Sequence, residues 1–391
     1  MKVTEVRLYA IPSMWRELTI VQLRTDEGIT GLGEIGVSHE VDRGTLHVVR
    51  AMAESFVLGK DPRHVESLWD TMNRYSFWGR GGGAVVMAAI SAIEEACWDI
   101  FGKSVGLPAF MLLGGKVRER IRLYANGWWS SVGALASSYG LSPAEWARDA
   151  ERVVKDGFTA LKFDHFRYTA PDQGAVPQKS MDRRAIAAAM ERIAAMRRAV
   201  GPDVDILIEA HGWFDVHTAI EIGQRLEEYD VLFFEEPIES TSPQAMANVA
   251  ANIRTPVAAG ERIYTRWGFL PYLEANAMRI LQPDIGNTGG MLETRKIAAM
   301  ADVFHLPIAP HNPWGPVATA PAVHVDAATP NFLIQEWFPY EKDDHYRVVD
   351  HAYELDVREG HLTIPDDRPG LGVELNEAAV AAYLVDTVVA R

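Results

Sequence analysis

Apolar and polar residues alternate with a period of two early in the chain, over residues 2–11 and 17–36. Such alternation is typical of strands with one buried face, and the Asp-Glu-Gly sequence at 26–28 supplies a turn between runs. Two later segments, 39–59 and 80–106, instead space their apolar residues as helices do. The pattern predicts an antiparallel meander or hairpin followed by two helices, forming an α+β unit.

From Ile121 onward, short apolar runs alternate with amphipathic helical stretches. Each run has the length of a buried strand and is followed by a helix or by a gap of helical size. The runs are residues 121–127, 160–166, 204–212, 231–237, 255–262, 279–284, 306–312 and 332–337. Eight strands that alternate with helices predict a closed parallel (β/α)8 barrel.

The expected fold class is therefore α/β, a (β/α)8-type barrel or modified TIM barrel with an N-terminal α+β capping domain. We place the capping domain at 1–120 and the catalytic barrel at 121–345. The pattern returns to mixed strand and helix over 346–391, and this C-terminal segment is expected to pack back on the capping domain.

One connection is longer than the rest. Residues 167–182 separate the second barrel strand from the helix that follows it. Connections of this kind usually span about 2–6 residues, and longer ones are often functional. Because this segment follows the C-terminal end of a strand, we expect it near the active site.

Composition and charge exclude several classes of function. The 391 residues carry a formal net charge of −15, whereas a nucleic-acid surface requires a basic face. The single cysteine, Cys97, lies in a helical stretch and is interpreted as a buried small hydrophobic residue. The N-terminus lacks the apolar core of a signal peptide, and no apolar run reaches the roughly 18 residues of a membrane span. We therefore expect a cytoplasmic protein that binds neither nucleic acid nor a membrane.

Ionisable residues occupy matching positions at the ends of six successive predicted strands. They follow one another at intervals from 23 residues (261 to 284) to 27 residues (284 to 311): Glu209, Glu235, Glu261, Asp284, His311 and Glu336. In a barrel, the C-terminal ends of the strands converge on one site. The three glutamates at 209, 235 and 261 would repel one another unless a cation lay among them. Oxygen ligands without cysteine suit Mg²⁺ or Mn²⁺, so the sequence predicts one such ion per subunit.

Three residues besides the glutamates point to proton abstraction at the same site. Asp284 and His311 lie on neighbouring predicted strands, and a carboxylate beside an imidazole fixes its tautomer and raises its basicity. This pair is a candidate general base. Lys162 ends the second barrel strand, and its cation can stabilise an anionic intermediate.

These residues and the surrounding motifs make the chain resemble the enolase superfamily, and within it the mandelate racemase-like group. The motifs are FFEEP, AAGER, ILQPDIGNTGG and APHNPWGP in that order, with WDIFGKSVGLPAFMLLGGKVRER in the capping domain. The resemblance covers most of the chain. It implies Mg²⁺ on the three glutamates, the Asp284–His311 pair as the base, and Glu336 as a hydrogen-bonding acid near the bound intermediate. It also implies a homo-oligomer, either a dimer or an octamer.

Two positions narrow the reaction that the resemblance implies. Many racemases of the group carry Lys-x-Lys on the second barrel strand, whereas this chain has Asp164 two residues after Lys162. His211 follows Glu209 by two residues, as in the sugar-acid dehydratases of the group that act on galactonate and gluconate. There the corresponding histidine protonates the departing 3-hydroxyl. The resemblance therefore implies a dehydratase that forms a 2-keto-3-deoxy acid from an aldonate.

Substrate contacts are expected from the capping domain and from the loops around the barrel mouth. The candidates are Asp164, His165, Trp15, Arg16, Arg80, Trp128 and Tyr168. One alternative function is a racemase or epimerase that uses His211 and His311 on opposite faces of a 2-hydroxy acid. Another is a catalytically silent barrel retained for binding or assembly, which predicts a lost ligand or base.

Overall fold

The computed structural model describes residues 1–13, 16–38, 41–129, 141–166, 179–341 and 343–390. The strands of this part of the chain form an antiparallel sheet and a ring of parallel strands. No helix within these ranges is both long enough and apolar enough to cross a lipid bilayer.

The antiparallel sheet joins the two ends of the chain. Its strands are β1 (Val3–Pro12), β2 (Glu17–Thr25), β3 (Thr30–Glu34) and β12 (Leu384–Val389), in the order β12-β1-β2-β3. The predicted turn joins β2 to β3, and Gly28 adopts a φ of 80° there. Because β12 pairs antiparallel with β1, with Val388 opposite Val6, the end of the chain completes a sheet that its beginning starts.

Helices of the capping region follow β3. In the described part of the chain they are α1 (Val41–Met52) with a π-helical extension (Ala53–Val57), α2 (Val65–Tyr75), a 3₁₀ turn (Phe77–Gly79), α3 (Ala84–Val105) and α4 (Ala109–Leu112). The sequence predicted α1 and α3 but not α2. A Cβ on Gly33 would lie 1.9 Å from the carbonyl oxygen of Ala92 in α3. Glycine is needed there because the backbones of β3 and α3 touch.

The parallel strands close into the predicted barrel. They are β4 (Arg120–Ala125), β5 (Ala160–Phe163), β6 (Asp205–Glu209), β7 (Phe233–Glu235), β8 (Val257–Ala259), β9 (Ile280–Leu281) and β10 (Gln335–Trp337). Neighbours pair in parallel from β10 through β4 to β9. Ile308 closes the ring through single bridges to Leu281 of β9 and to Phe332 before β10. The segment around Ile308 forms bridges rather than a regular strand, because Pro307 and Pro310 have no N–H to donate.

Helices alternate with these strands as the apolar pattern predicted. They are α5 (Pro143–Lys155), α6 (Arg183–Val200), α7 (Val216–Leu226), a 3₁₀ turn (Glu227–Tyr229), α8 (Pro243–Asn252), α9 (Thr265–Glu274), α10 (Ile285–Thr288), α11 (Gly290–Val303) and α12 (Pro316–Ala328). The remaining elements are α13 (Asp343–Tyr346), a 3₁₀ turn (Tyr353–Asp356), β11 (His361–Thr363), α14 (Glu377–Val380) and a 3₁₀ turn (Ala381–Tyr383). The fold class is confirmed, whereas the domain boundaries at 120 and 345 stay predictions.

Side chains inside the barrel form two layers. The lower layer is a buried cluster with one residue from each of the eight segments: Tyr124, Ala160, Leu207, Phe233, Ala258, Ile280, Ala309 and Ile334. Residues two positions further along a strand face the same side. This places the next layer at Asn126, Lys162, Glu209, Glu235, Gly260, Gln282, His311 and Glu336. An apolar floor therefore lies directly beneath the polar rim at the C-terminal ends of the strands.

Buried carboxylates join the capping region to the barrel. Glu94 of α3 accepts the N–H groups of Met291 (2.9 Å) and Leu292 (3.0 Å) at the start of α11. Glu34 of β3 accepts those of Gly315 (2.8 Å) and Ala318 (3.0 Å) at the start of α12. Helix N-termini carry unpaired N–H groups and a partial positive charge. Each of these capping-region carboxylates therefore accepts hydrogen bonds from the start of a barrel helix.

We expect Glu94→Gln to lower the free energy of unfolding by about 1–3 kcal/mol, because one acceptor oxygen becomes an NH₂ that faces backbone donors. Urea denaturation followed by circular dichroism measures this loss. The matched control is Glu66→Gln, which breaks an exposed ion pair with Lys296 that also links the capping region to the barrel. Equal losses in the two variants would contradict the role of Glu94.

Candidate active site

Three glutamates meet at the C-terminal mouth of the barrel. Glu209 ends β6, Glu235 ends β7 and Glu261 lies two residues after β8. Each offers a carboxylate oxygen, and these oxygens lie within 4.8 Å of one another. Glu209 and Glu235 are buried, and the side chain of Glu261 is 12% exposed. Their donor set consists only of carboxylate oxygens, which are the ligands of Mg²⁺ or Mn²⁺.

A buried lysine lies among the carboxylates. The Lys162 Nζ is 2.8 and 2.9 Å from the two oxygens of Glu235, 3.4 Å from Glu209 and 2.9 Å from Glu336. Burial lowers the pKa of Lys162, but the charges of Glu235 and Glu336 outweigh that effect and hold it well above its ordinary value. One ammonium group cannot balance the surrounding carboxylates, so the donor set fits a divalent cation as well.

Glu336 is held by three donors. Its Oε1 accepts from Lys162 and from the Asn126 amide (2.7 Å), and its Oε2 accepts the N–H of Asn312 (2.9 Å). The charge of Lys162 outweighs the effect of burial and lowers the pKa of Glu336. The sequence did not single out Asn126 and Asn312, although both lie at the C-terminal end of a predicted strand.

The predicted Asp284–His311 pair is present. The His311 Nδ1 is 2.6 Å from the Asp284 Oδ2. The Nε2 of the same ring is 3.2 Å from the Glu261 Oε2 and 3.8 Å from the Glu336 Oε2. Burial lowers the pKa of His311, but Glu261, Glu336 and Asp284 together raise it to about 10. A cation on Glu261 would cancel part of that rise, because it neutralises the nearest negative charge.

A second pair of the same kind lies just after the C-terminal ends of β5 and β6. The His211 Nδ1 is 2.7 Å from the Asp164 Oδ2, and the Asp164 Oδ1 accepts the N–H of Phe166 (2.8 Å). His211 adopts a φ of 46°, and its N–H donates to the Glu209 Oε1. Asp164 was expected to bind substrate, and in the structure its carboxylate lies within hydrogen-bond distance of His211.

The two histidine pairs lie on opposite sides of the mouth. Around the ring, β6 and the segment at Ile308 are separated by β7, β8 and β9 in one direction and by β10, β4 and β5 in the other. His211 follows β6, and His311 follows Ile308. A substrate above the three glutamates would therefore have one Asp–His pair on each side.

Two of the expected substrate contacts do not face the mouth in this structure. His165 and Trp128 are buried, with 0% and 1% exposure, and both rings pack against Trp146 of α5 and Phe163. Strand alternation turns Lys162 into the barrel, so Phe163 and His165 face the helices outside it. The indole of Trp128 donates to a backbone carbonyl instead of to the mouth.

Of the other expected contacts, Arg16 and Arg80 are described and both lie in the capping region. Arg16 is buried and donates from Nη2 to the carbonyl of Trp314 (2.7 Å). Arg80 is exposed, donates to the carbonyl of Arg74 and lies over the ring of Phe77. Trp15 and Tyr168 lie outside the described residues, as does most of the long segment 167–182.

The fold and the rim of glutamates, lysine and Asp–His pairs define a class of capped (β/α)8-type barrel with a polar site at the C-terminal ends of its strands. Residues 145–379 match the family described as enolase C-terminal domain-like. Residues 10–114 match the mandelate racemase / muconate lactonizing enzyme N-terminal domain. The chain belongs to the enolase superfamily, in its mandelate racemase-like group.

Proteins similar to this chain along most of its length include two D-galactonate dehydratases. That of Verminephrobacter eiseniae is 38% identical over 97% of this chain and 94% of its own length. That of Ralstonia pickettii is 36% identical with the same shares. A crystal structure of a member of the enolase superfamily from Salmonella Typhimurium has a TM-score of 0.92 and 34% identity, with 99% of each chain covered.

Proposed function

We propose that the protein is a Mg²⁺-dependent dehydratase of an aldonate, such as galactonate or gluconate. One observation carries the proposal: an Asp–His pair lies on each side of a carboxylate triad. A dehydration needs a base for the C2 proton and an acid for the departing 3-hydroxyl, and two pairs can supply both. The D-galactonate dehydratases among the similar proteins support an aldonate as the substrate.

Glu209, Glu235 and Glu261 would hold the metal ion, with Mn²⁺ as the alternative to Mg²⁺. When bound, such an ion neutralises the carboxylate of an acidic substrate and the negative charge that develops beside C2. The base, the acid and a further positive charge are side chains of the protein itself.

His311 is the proposed base. Its Nδ1 is bonded to Asp284, which leaves Nε2 as the nitrogen that accepts the C2 proton. Lys162 is assigned to stabilise the enediolate that results, because its buried ammonium lies among the carboxylates of the triad and a fixed charge in a buried site stabilises such an anion strongly. Glu336 is assigned to orient Lys162, since it accepts from Nζ at 2.9 Å and is itself held by Asn126.

His211 is the proposed acid. The bond of Nδ1 to Asp164 again leaves Nε2 free to act, in this case as a proton donor to the 3-hydroxyl. The C3–O bond breaks and water leaves, while the electron pair of the enediolate forms the C2–C3 double bond. The enol then tautomerises to the 2-keto-3-deoxy acid.

Epimerisation at C2 is the second candidate, because a pair of bases on opposite sides of a substrate is also what that reaction uses. His211 would then return a proton to C2 instead of giving one to the hydroxyl. The two reactions differ in product, since only dehydration releases water.

Incubation with a panel of aldonic and aldaric acids in ²H₂O tests the proposal. We expect at least one aldonate to give a 2-keto-3-deoxy acid, and we expect this reaction to require Mg²⁺. Reaction with semicarbazide and proton NMR detect the product. An inverted product that carries deuterium at C2, without loss of water, would identify an epimerase instead. The absence of both products from every acid would contradict both candidates.

A further inference from the structure

Trp314 lies beside the proposed base and bonds to its carboxylate. The Trp314 indole Nε1 donates to the Asp284 Oδ2 at 2.7 Å, and the same oxygen is 2.6 Å from the His311 Nδ1. Asp284 is completely buried, and its Oδ1 has no hydrogen-bond partner among the described residues. Among the described residues, Trp314 is therefore the hydrogen-bond partner besides His311 that limits rotation of this carboxylate.

The backbone on both sides of that indole is held by the capping sheet. Arg16, next to β2, donates from Nη2 to the Trp314 carbonyl at 2.7 Å, and its side chain is only 1% exposed. The Arg16 Nη1 is 3.6 Å from the Glu341 Oε1, so the guanidinium is itself fixed in place. Gly315 donates its N–H to Glu34 of β3 at 2.8 Å. Hydrogen bonds from residues of the capping sheet and beside it therefore fix the backbone at Trp314, the residue that contacts Asp284.

We propose that Trp314 is a positioning residue for the Asp284–His311 pair, and that Arg16 acts through it to couple the seating of the capping sheet to the base. In this arrangement Arg16 sets the position of the Trp314 backbone. The indole N–H then sets the direction of the Asp284 carboxylate and, through it, the direction of the His311 Nε2. The kinetic part of this inference rests on the proposed function.

Trp314→Phe tests the first step, because it removes the N–H and keeps an aromatic ring. We expect kcat to fall about 10- to 100-fold, the loss that follows from one hydrogen bond to a charged group. KM and the Mg²⁺-dependent thermal shift should stay close to wild type. The matched control is Trp267→Phe, at a half-exposed ring that packs against Trp69 and has no contact with Asp284 or His311, which should leave kcat unchanged.

A double-mutant cycle separates positioning from a general structural effect. If Trp314 acts through Asp284, then Trp314→Phe has little further effect in an Asp284→Asn background, measured as C2 deuterium exchange. A loss of the same size in both backgrounds would overturn the proposal. Arg16→Lys should likewise lower kcat rather than raise KM, and the effect should disappear in the Trp314→Phe background. A rise in KM alone would mean that Arg16 binds substrate and would overturn its assigned role.

A readout without substrate distinguishes this inference from the proposed function. The His311 Nδ1 proton should give a low-field NMR resonance that is missing in His311→Asn and shifts in Trp314→Phe and in Arg16→Lys. If the resonance shifts but no aldonate is converted, the positioning role stands and the proposed function fails. If aldonates are converted while kcat and the resonance of Trp314→Phe match wild type, the function stands and the positioning role fails.

Discussion

His311→Asn is expected to abolish both exchange of the substrate C2 proton and loss of water. Asparagine keeps a polar group of similar size but cannot accept the proton, and a positioned base contributes roughly 10²–10⁴-fold to the rate. The binding of Mg²⁺ should persist, because His311 is not one of the three glutamates. Proton NMR in ²H₂O follows exchange and dehydration in the same sample.

The companion variant His211→Asn should behave differently. Dehydration should fall by a similar factor, whereas C2 exchange should continue because the Asp284–His311 pair is intact. His351→Asn is a matched control. His351 also lies 2.9 Å from a carboxylate, that of Asp356, but both side chains are partly exposed to solvent. Dehydration near the wild-type rate in both His311→Asn and His211→Asn would contradict the assignment of acid and base.

Glu235→Gln is expected to remove the response to Mg²⁺. A ligand that binds only the folded protein stabilises it by about 2.7 kcal/mol when present at 100 times its Kd, which appears as a rise in Tm. Glu235 is completely buried at the triad, so an amide there removes both a charge and an acceptor oxygen. The rise in Tm with added Mg²⁺ should disappear, together with turnover.

Glu236→Gln is the control for this variant. Glu236 is the next residue and is equally buried, but it bonds to Arg262 and Ser240 and is not part of the triad. Its variant is expected to lose some baseline stability and to keep the Mg²⁺-dependent rise in Tm. If Glu236→Gln lost that rise while Glu235→Gln kept it, the metal would be held by the other glutamate.

The partners of individual side chains depended on more than sequence spacing. Strand alternation alone would have turned His165 away from the mouth, since it lies three residues after Lys162. Trp128 gave no such signal, because it follows β4 at a bend where Gly127 adopts a φ of 63° and alternation no longer applies. The bond between Asp164 and His211 joins residues 47 positions apart that follow neighbouring strands, and strand order alone does not specify their rotamers.

By itself, the sequence determined the barrel and the ionisable residues that follow its strands at regular intervals. Regular spacing carries this information, because parallel strands in a closed barrel end on one rim and alternation selects the inward side chains. Only the tertiary structure decided what each of these groups touches: Asp164 with His211, Trp314 with Asp284, and Lys162 among the glutamates. Such contacts depend on side-chain rotamers, on residues with positive φ such as His211, and on the docking of the capping sheet, which periodicity along the chain does not encode.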